Sequence, residues 1–257
     1  MIEKRGLRLD EIPGPKASPS SGHSISLSIV TAEKPHEDAF YRSKRIFDLI
    51  TSSLMLVLLS PVLLMIAILI KLDSPGPVFF VQERAGCRRR RIREGTVWQI
   101  RCFGCYKFRS MAQNADPSRH ERYIQDFCQS RPAAEHGDGT TFKLQSDPRV
   151  TRFGRVLRRS SLDELPQFIN VLRGEMSLVG PRPVPFYEVA QYEKSDYERL
   201  AATPGITGLW QVRGRGRVPF QEMMRMDIEY VRQRSWGLDL KLLLLTIPAV
   251  IFGRGAA

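Results

Sequence analysis

Apolar and polar positions divide this chain into four regimes. Residues 1–40 are rich in Pro, Ser, Gly and charge and show no sustained period, the pattern of a mobile tail with too little apolar surface to fold alone. From Leu49 to Ile70 there follow 22 residues without a charge, long enough at about 1.5 Å per residue to reach across a bilayer core. Ser60-Pro61 divides this run into halves of 12 and 10 residues, each matching only about half that thickness. Two topologies fit this pattern: a kinked spanning helix, and a re-entrant hairpin whose bend draws on Ser52, Ser53 or Ser60 for polar partners.

Beyond the run the periods are shorter. Ser74-Pro75-Gly76-Pro77 forces a turn, after which Val78 to Val81 reads as a short strand. Tyr106 to Met111 alternates, with Lys107 and Arg109 on one face and Tyr106 and Phe108 on the other. A helix is expected near 120–129, followed by a Gly-rich loop; no chemistry is assigned there, His120 and His136 included. Leu165, Phe168, Ile169 and Leu172 fall at i, i+3, i+4 and i+7, which predicts a helix over about 163–173, with Gly174 as its terminator. Residues 203–212 read as a Pro-Gly turn and a strand. Asp227 lies on a helix whose Met223, Met224 and Tyr230 pack inward, as an exposed carboxylate or as a metal or substrate contact. Leu238 to Phe252 has only 11 uncharged residues after Lys241, too few to span, and reads as an amphipathic helix resting on a membrane.

Charge sharpens this picture. Lys and Arg number 39 against 27 Asp and Glu, a net +12 in 257 residues, which calls for an anionic partner: headgroups, phosphorylated substrates or nucleic acid. A nucleic-acid reading rests on charge alone, and none is expected as partner. Arg42, Lys44 and Arg45 precede the apolar run, while Lys71, Arg84 and Arg88 to Arg91 follow it, which favours keeping both ends in the cytoplasm. Arg88 to Arg91 and Arg93 read as a solvated or lipid-facing surface. Cys87, Cys102, Cys105 and Cys128 include one C-x-x-C without a second pair or a suitably spaced His, the pattern of reduced cytosolic thiols. No Walker loop, Rossmann fingerprint or internal repeat is present.

The candidate chemistry lies in SSLDELPQFINVLRGEMSLVGPRP, residues 160–183. Pro166 is best tolerated early in a helix, which makes Asp163 its N-cap and puts Glu164 in its first turn, where the positive helix end favours both carboxylates ionised. Helix capping alone explains that pair. The arginines around it, Arg152, Arg155, Arg158 and Arg159 before and Arg182 after, point instead to phosphate and metal chemistry.

The stretch RVTRFGRVLRRSSLDELPQFINVLRGEMSLVGPRPV resembles the core of the bacterial sugar transferases, the monotopic polyprenyl-phosphate phosphoglycosyltransferases. KRIFDLITSSLMLVLLSPVLLMIAILIKLDSPGPVFFVQERAG, YKFRSM, PGITGLWQV and SWGLDLKLLLLT resemble the same family in the same order. Only the stretch before YKFRSM departs from it, being longer. The resemblance implies an α+β, membrane-monotopic enzyme, with a polar tail over 1–40, a re-entrant helix over 41–73 broken at Ser60 and Pro61, and a cytoplasmic catalytic domain over 74–257 at the bacterial inner membrane. It implies transfer of a sugar-1-phosphate from a UDP-sugar to polyprenyl phosphate with release of UMP. Asp163 would be the nucleophile and Glu164 the Mg²⁺ ligand, with Lys107, Arg109, Arg158, Arg182, Arg215 and Asp227 on substrate. Arg215 enters because it matches the family's QV-x-GR pattern. Membrane lipids and copies of the chain itself complete the expected partners, and a direct ternary-complex transfer and a non-enzymatic membrane module binding acidic lipid or nucleic acid remain as alternatives.

Overall fold

The computed structural model describes residues 28–31, 37–92, 95–113, 118–128, 147–214 and 218–251. Strand β1 (Ser28–Thr31) and helices α1 (Glu37–Leu58) and α2 (Ser60–Asp73) open the chain. Part of the stretch expected to be a tail is thus ordered, and the first helix begins before residue 41; residues 1–27 and 32–36 lie outside the described residues.

The two helices meet at a 60° bend around Leu59. Pro61 sits in the first turn of α2, and without an N–H it leaves the carbonyl of Val57 without its helical donor. Ser60 Oγ donates to that carbonyl at 2.8 Å, so the residue pair that breaks the helix also supplies the replacement hydrogen bond. Among the described residues no single helix is long and apolar enough to cross a membrane; the bent pair meets that criterion only as a pair.

Helix α1 inverts the usual amphipathic order. Glu37, Lys44, Asp48 and Ser52 face inward, while Ile46, Ile50, Leu54, Val57 and Leu58 are exposed. Its buried charges are paired: Lys44 Nζ lies 2.5 Å from Asp239 Oδ2, Tyr230 donates to Asp239 Oδ1 at 2.8 Å, and Asp48 accepts the backbone N–H of Leu178 at 3.1 Å. Leu64, Met65, Ile68 and Leu72 of α2 continue the exposed apolar surface.

Strands β2 (Phe79–Ile92) and β3 (Gly95–Phe108) form one long antiparallel hairpin, registered from Phe79 opposite Phe108 to Ile92 opposite Gly95, with β1 on the far edge of β3. These strands are far longer than the two short ones expected, and the basic run Arg88 to Arg91 lies within β2. The cations hid the alternation, because Arg88 and Arg90 point outward while Ala85, Cys87, Trp98 and Ile100 enter the core. Cys102 and Cys105 are free thiols on opposite faces of β3, the first exposed and the second buried, so their spacing cannot converge on one ligand.

The remaining chain packs around this hairpin: α3 (Ser118–Cys128), α4 (Arg152–Ser160), α5 (Gln167–Arg173), β4 (Ser177–Val179), α6 (Phe186–Val189), β5 (Gly205–Thr207), α7 (Leu209–Arg213), α8 (Phe220–Gln233) and α9 (Trp236–Ile251). Strands β4 and β5 pair in parallel, and the stretch expected to be a strand over 203–212 is β5 followed directly by α7. The main core joins Trp98, Ile100, Ile124, Leu209, Trp210, Met223 and Leu242. A smaller cluster of Ile66, Ile70, Phe108 and Leu157 seats α2 on the hairpin and α4. In α9, Leu242 is buried while Leu240, Leu244, Leu245 and Ile247 are exposed, so apolar side chains occupy both its inner and its outer face rather than the inner face alone, as an amphipathic helix would have them. The observed class is α+β.

Candidate active site

Helix α4 begins at Thr151, whose Oγ1 accepts the N–H of Gly154 at 3.0 Å. Gly154 packs so tightly on Ser110 that a Cβ there would lie 2.0 Å from the Ser110 carbonyl oxygen. The helix ends at Ser161, the only non-glycine residue with positive φ (57°) among those described. That left-handed step turns the chain into a 3₁₀ turn over Leu162–Glu164, after which Pro166 takes the N-cap position of α5 and Gly174, at φ 76°, closes it.

Asp163 is therefore not the N-cap of a helix spanning 163–173. The end of α4 already occupies the preceding residues, and the helical apolar period starts at Leu165, two residues before the helix itself. The 3₁₀ turn buries Asp163, at 9% exposure, and sends the Glu164 carboxylate to two cations. Glu164 Oε1 lies 2.8 Å from Lys107 Nζ on β3 and 3.2 Å from Arg182 Nη2 in the Gly-Pro-Arg-Pro turn.

Hydrogen bonds fix those three elements in register. Asn170 of α5 accepts the N–H of Tyr106 at 2.9 Å and donates to the carbonyl of Gly104 at 2.7 Å, bracketing the strand next to Lys107. The turn bearing Arg182 is laced to β5 by Gly180 N–H to Thr207 O, 2.9 Å, and Gly205 N–H to Pro181 O, 2.8 Å. No side chain fits between them: a Cβ on Gly180 would stand 2.2 Å from the Thr203 carbonyl oxygen. Burial alone would weaken the charge of Arg182, but Glu164 and, more distantly, Asp163 hold its guanidinium above the ordinary arginine value.

A small cleft adjoins this cluster, walled by Arg84, Lys107, Gln167, Arg182 and Gln211. Its cationic wall suits phosphate oxygens. Among the described residues no three His, Cys, Asp or Glu side chains form a closed metal cage. Mg²⁺ does not need one, since it takes one or two carboxylates and completes its shell with water and substrate phosphate. The adjacent oxygen ligands of Asp163 and Glu164 fit that chemistry.

Asp163, Glu164, Lys107 and Arg182 thus come together. Arg109 does not join them: its buried guanidinium donates to the carbonyls of Ser74 (2.7 Å), Ile70 (3.4 Å) and Pro75, where α2 ends. Helix-end carbonyls are strong acceptors for a cation, and these bonds tie Arg109 to the end of α2 rather than to the Glu164 cluster. Arg158 lies half-buried in the last turn of α4, where its charge helps hold the Asp147 carboxyl below its ordinary value, after the larger effect of Arg149. Asp227 is fully buried rather than exposed on a helix surface, and forms a 2.5 Å ion pair with Arg199. Burial pushes its carboxyl up to about 6 against the pull of Arg199. Arg199 also donates to Glu188 Oε1 and to the carbonyl of Arg182, both at 3.2 Å, so Asp227 is linked through Arg199 to the backbone of the arginine turn. Arg215 lies outside the described residues.

Arg84, Gln167, Arg199 and Gln211 are the residues at the site that sequence reasoning missed. Arg84 was masked by the arginines after it, although the every-second-residue placement of Gln82 and Arg84 in FFVQERAG marks them as sharing a strand face.

A family model described as bacterial sugar transferase matches residues 39–253. The chain belongs to the bacterial sugar transferase family. An exopolysaccharide production protein ExoY from Sinorhizobium fredii is 42% identical to this sugar transferase over 83% of the chain and 88% of the relative. The UDP-glucose:undecaprenyl-phosphate glucose-1-phosphate transferase of Caulobacter vibrioides is 39% identical over 81% of the chain and 69% of the relative. The undecaprenyl-phosphate galactose phosphotransferase of Salmonella typhimurium is 38% identical, over 83% of this chain but 41% of its own length. Two of these names specify transfer of a sugar phosphate to a lipid phosphate, a reaction whose reacting groups match the charge of the cleft.

Proposed function

We propose that this sugar transferase moves a sugar-1-phosphate from a UDP-sugar to polyprenyl phosphate through a phosphosugar bound covalently to Asp163. The observation that carries this reading is the placement of Glu164 between Lys107 and Arg182 with Asp163 adjacent in the same turn. The proposal also draws on the relatives named for undecaprenyl-phosphate transfer and for exopolysaccharide production, a pathway this activity would initiate.

In the first step a carboxylate oxygen of Asp163 forms a bond to the sugar-linked phosphorus. The bond from that phosphorus to the bridging oxygen breaks, and its electron pair leaves with UMP. Lys107 and Arg182 offset charge on the phosphoryl oxygens as the bond breaks. In the second step an oxygen of polyprenyl phosphate attacks the same phosphorus, and the Asp163 carboxylate leaves unchanged. Glu164, with Asp163 beside it, would hold Mg²⁺, which when bound supplies charge neutralisation at the diphosphate. Glu164 otherwise orients the two cations, and Asp227 supports the Arg182 backbone through Arg199.

A lipid acceptor requires the site to meet a membrane. The exposed apolar residues of α1, α2 and α9, joined by Phe79, Phe80 and Val81 at the start of β2, are the surface that would enter the cytoplasmic leaflet of the bacterial inner membrane. The bend at Leu59, with Ser60 covering the Val57 carbonyl, supports a re-entrant hairpin that returns to the side it entered. Release of UMP from a panel of UDP-sugars, with and without polyprenyl phosphate and Mg²⁺, tests the reaction. No release from any of them contradicts it.

A further inference from the structure

Arg84 stands in the middle of β2, paired in register with Phe103, and is 5% exposed. Its Nη1 donates to the carbonyl of Pro183 at 3.1 Å and its Nη2 to Gln82 Oε1 at 2.5 Å. Its Nε is buried without a hydrogen-bond partner, and among the described residues no carboxylate pairs with it. Yet it walls the same cleft as Lys107 and Arg182.

A buried guanidinium without a counter-ion is costly, and a second guanidinium beside it adds to the cost. Burial and then repulsion from Arg182 both pull the Arg84 charge below the ordinary arginine value. Glu164 relieves this strain at Arg182 and Lys107 only. An anion between Arg84 and Arg182 would relieve it on both sides, and a phosphate group matches the guanidinium fork.

The same cleft contains one uncommitted acceptor. Gln211 donates its side-chain amide to the carbonyl of Ile206 at 2.9 Å, leaving Oε1 buried and unpartnered. A bare inorganic anion offers little to such an oxygen, whereas a nucleoside or sugar offers hydroxyl and N–H donors.

We infer that Arg84 is a donor-binding residue, whose guanidinium grips a phosphate of the nucleoside diphosphate group that enters this cleft. The inference rests on the transfer reaction proposed above and adds to it the residue that holds the diphosphate from the β2 side. A purely structural Arg84 would only tie β2 to Pro183, alongside the hydrogen bond from Ala85 N–H to the carbonyl of Val184 at 2.7 Å.

The test is calorimetric titration of the full chain in detergent with UDP and, separately, with inorganic pyrophosphate, for the unaltered protein, Arg84→Gln and Arg84→Lys, with circular dichroism as the check on folding. Arg84→Gln is expected to weaken both ligands by about 10- to 100-fold, the loss of a charge-assisted hydrogen bond, and Arg84→Lys to weaken them less. Should Arg84→Gln not fold, the lysine variant decides. A folded Arg84→Lys that binds both ligands as tightly as the unaltered protein, with a folded Arg84→Gln doing the same or none available, overturns the inference. UMP release by the unaltered protein, measured in parallel, separates the two claims. Binding that depends on Arg84 without UMP release from any UDP-sugar upholds the anion site and contradicts the transfer reaction; UMP release with affinity unchanged in the variants contradicts the role of Arg84 alone.

Discussion

Glu164 Oε1 and Lys107 Nζ are 2.8 Å apart although 57 residues separate them in the chain. Arg182 approaches the same oxygen, so a single carboxylate gathers a strand, a 3₁₀ turn and a Gly-Pro-Arg-Pro turn into one site. Glu164→Gln keeps the shape and removes the charge. It is expected to lower kcat/KM by about 10- to 100-fold and to weaken the dependence on Mg²⁺, because an amide oxygen is a poorer partner for cations than a carboxylate. A steady-state Mg²⁺ titration of both proteins checks this, and superimposable curves would rule it out.

Arg182→Lys tests whether the planar fork matters or only the charge. Lysine is a point donor and cannot hold Glu164 and two phosphate oxygens in the same geometry. Activity is expected to fall about tenfold or more; activity equal to that of the unaltered protein would reduce Arg182 to a general electrostatic role.

Arg109→Ala should separate structure from catalysis. Its guanidinium holds the carbonyls of Ser74 and Ile70 at the end of α2. Removing it is expected to cost about 1–3 kcal/mol of stability while leaving KM for the donor nearly unchanged. Denaturant midpoints and donor KM values, measured together, check both halves.

Asp227 makes a signed prediction for pH. Its folded-state value of about 6 lies above the ordinary carboxylate value near 4, so between those limits the folded protein binds more protons than the unfolded chain. Its ionisation therefore opposes folding as pH rises through that window, and stability from this group is gained as pH falls from about 6 toward 4. Asp227→Asn removes the titration. The unaltered protein should gain thermal stability relative to this variant between pH 7 and pH 5; a constant difference in midpoint would exclude the raised value.

The bend makes a topological prediction. In a cysteine-free variant, single cysteines placed near Ser20 and near Ser195 should both be protected from an impermeant reagent on intact cells, as a hairpin with both flanks in the cytoplasm requires. Labelling near Ser20 alone would establish a full span. Pro61→Leu, which restores the missing N–H to the Val57 carbonyl, should straighten the segment and favour that second pattern.

Sequence legibility followed the kind of signal each residue carries. The break at Ser60-Pro61 was legible because proline acts locally and irrespective of tertiary context, and Gly174 for the same reason: its left-handed φ is a backbone requirement. Glu164 and Arg182 were legible as charges in a dense motif. Their convergence on Lys107 was not, since it depends on Asn170 bracketing the strand and on Gly180 meeting Thr203, neither of which leaves a periodic trace. The long hairpin was obscured because one face of its outer half is arginine-rich and solvent-exposed, which reads as a surface charge run. The burial of Asp227 and Arg109 was not legible because a charged side chain in sequence looks exposed until its buried partner, Arg199 or the end of α2, is found.

The proposed reaction turns on a covalent bond between Asp163 and the sugar phosphate. The most direct measurement is intact-protein and peptide mass spectrometry after incubation with a UDP-sugar and Mg²⁺ in the absence of polyprenyl phosphate. A sugar-phosphate adduct on Asp163 is expected, lost on adding the lipid and absent from Asp163→Asn, which should turn over at least about 10⁴-fold more slowly while remaining folded. UMP release that requires polyprenyl phosphate from the outset, with no adduct at any time, would contradict it and establish direct transfer.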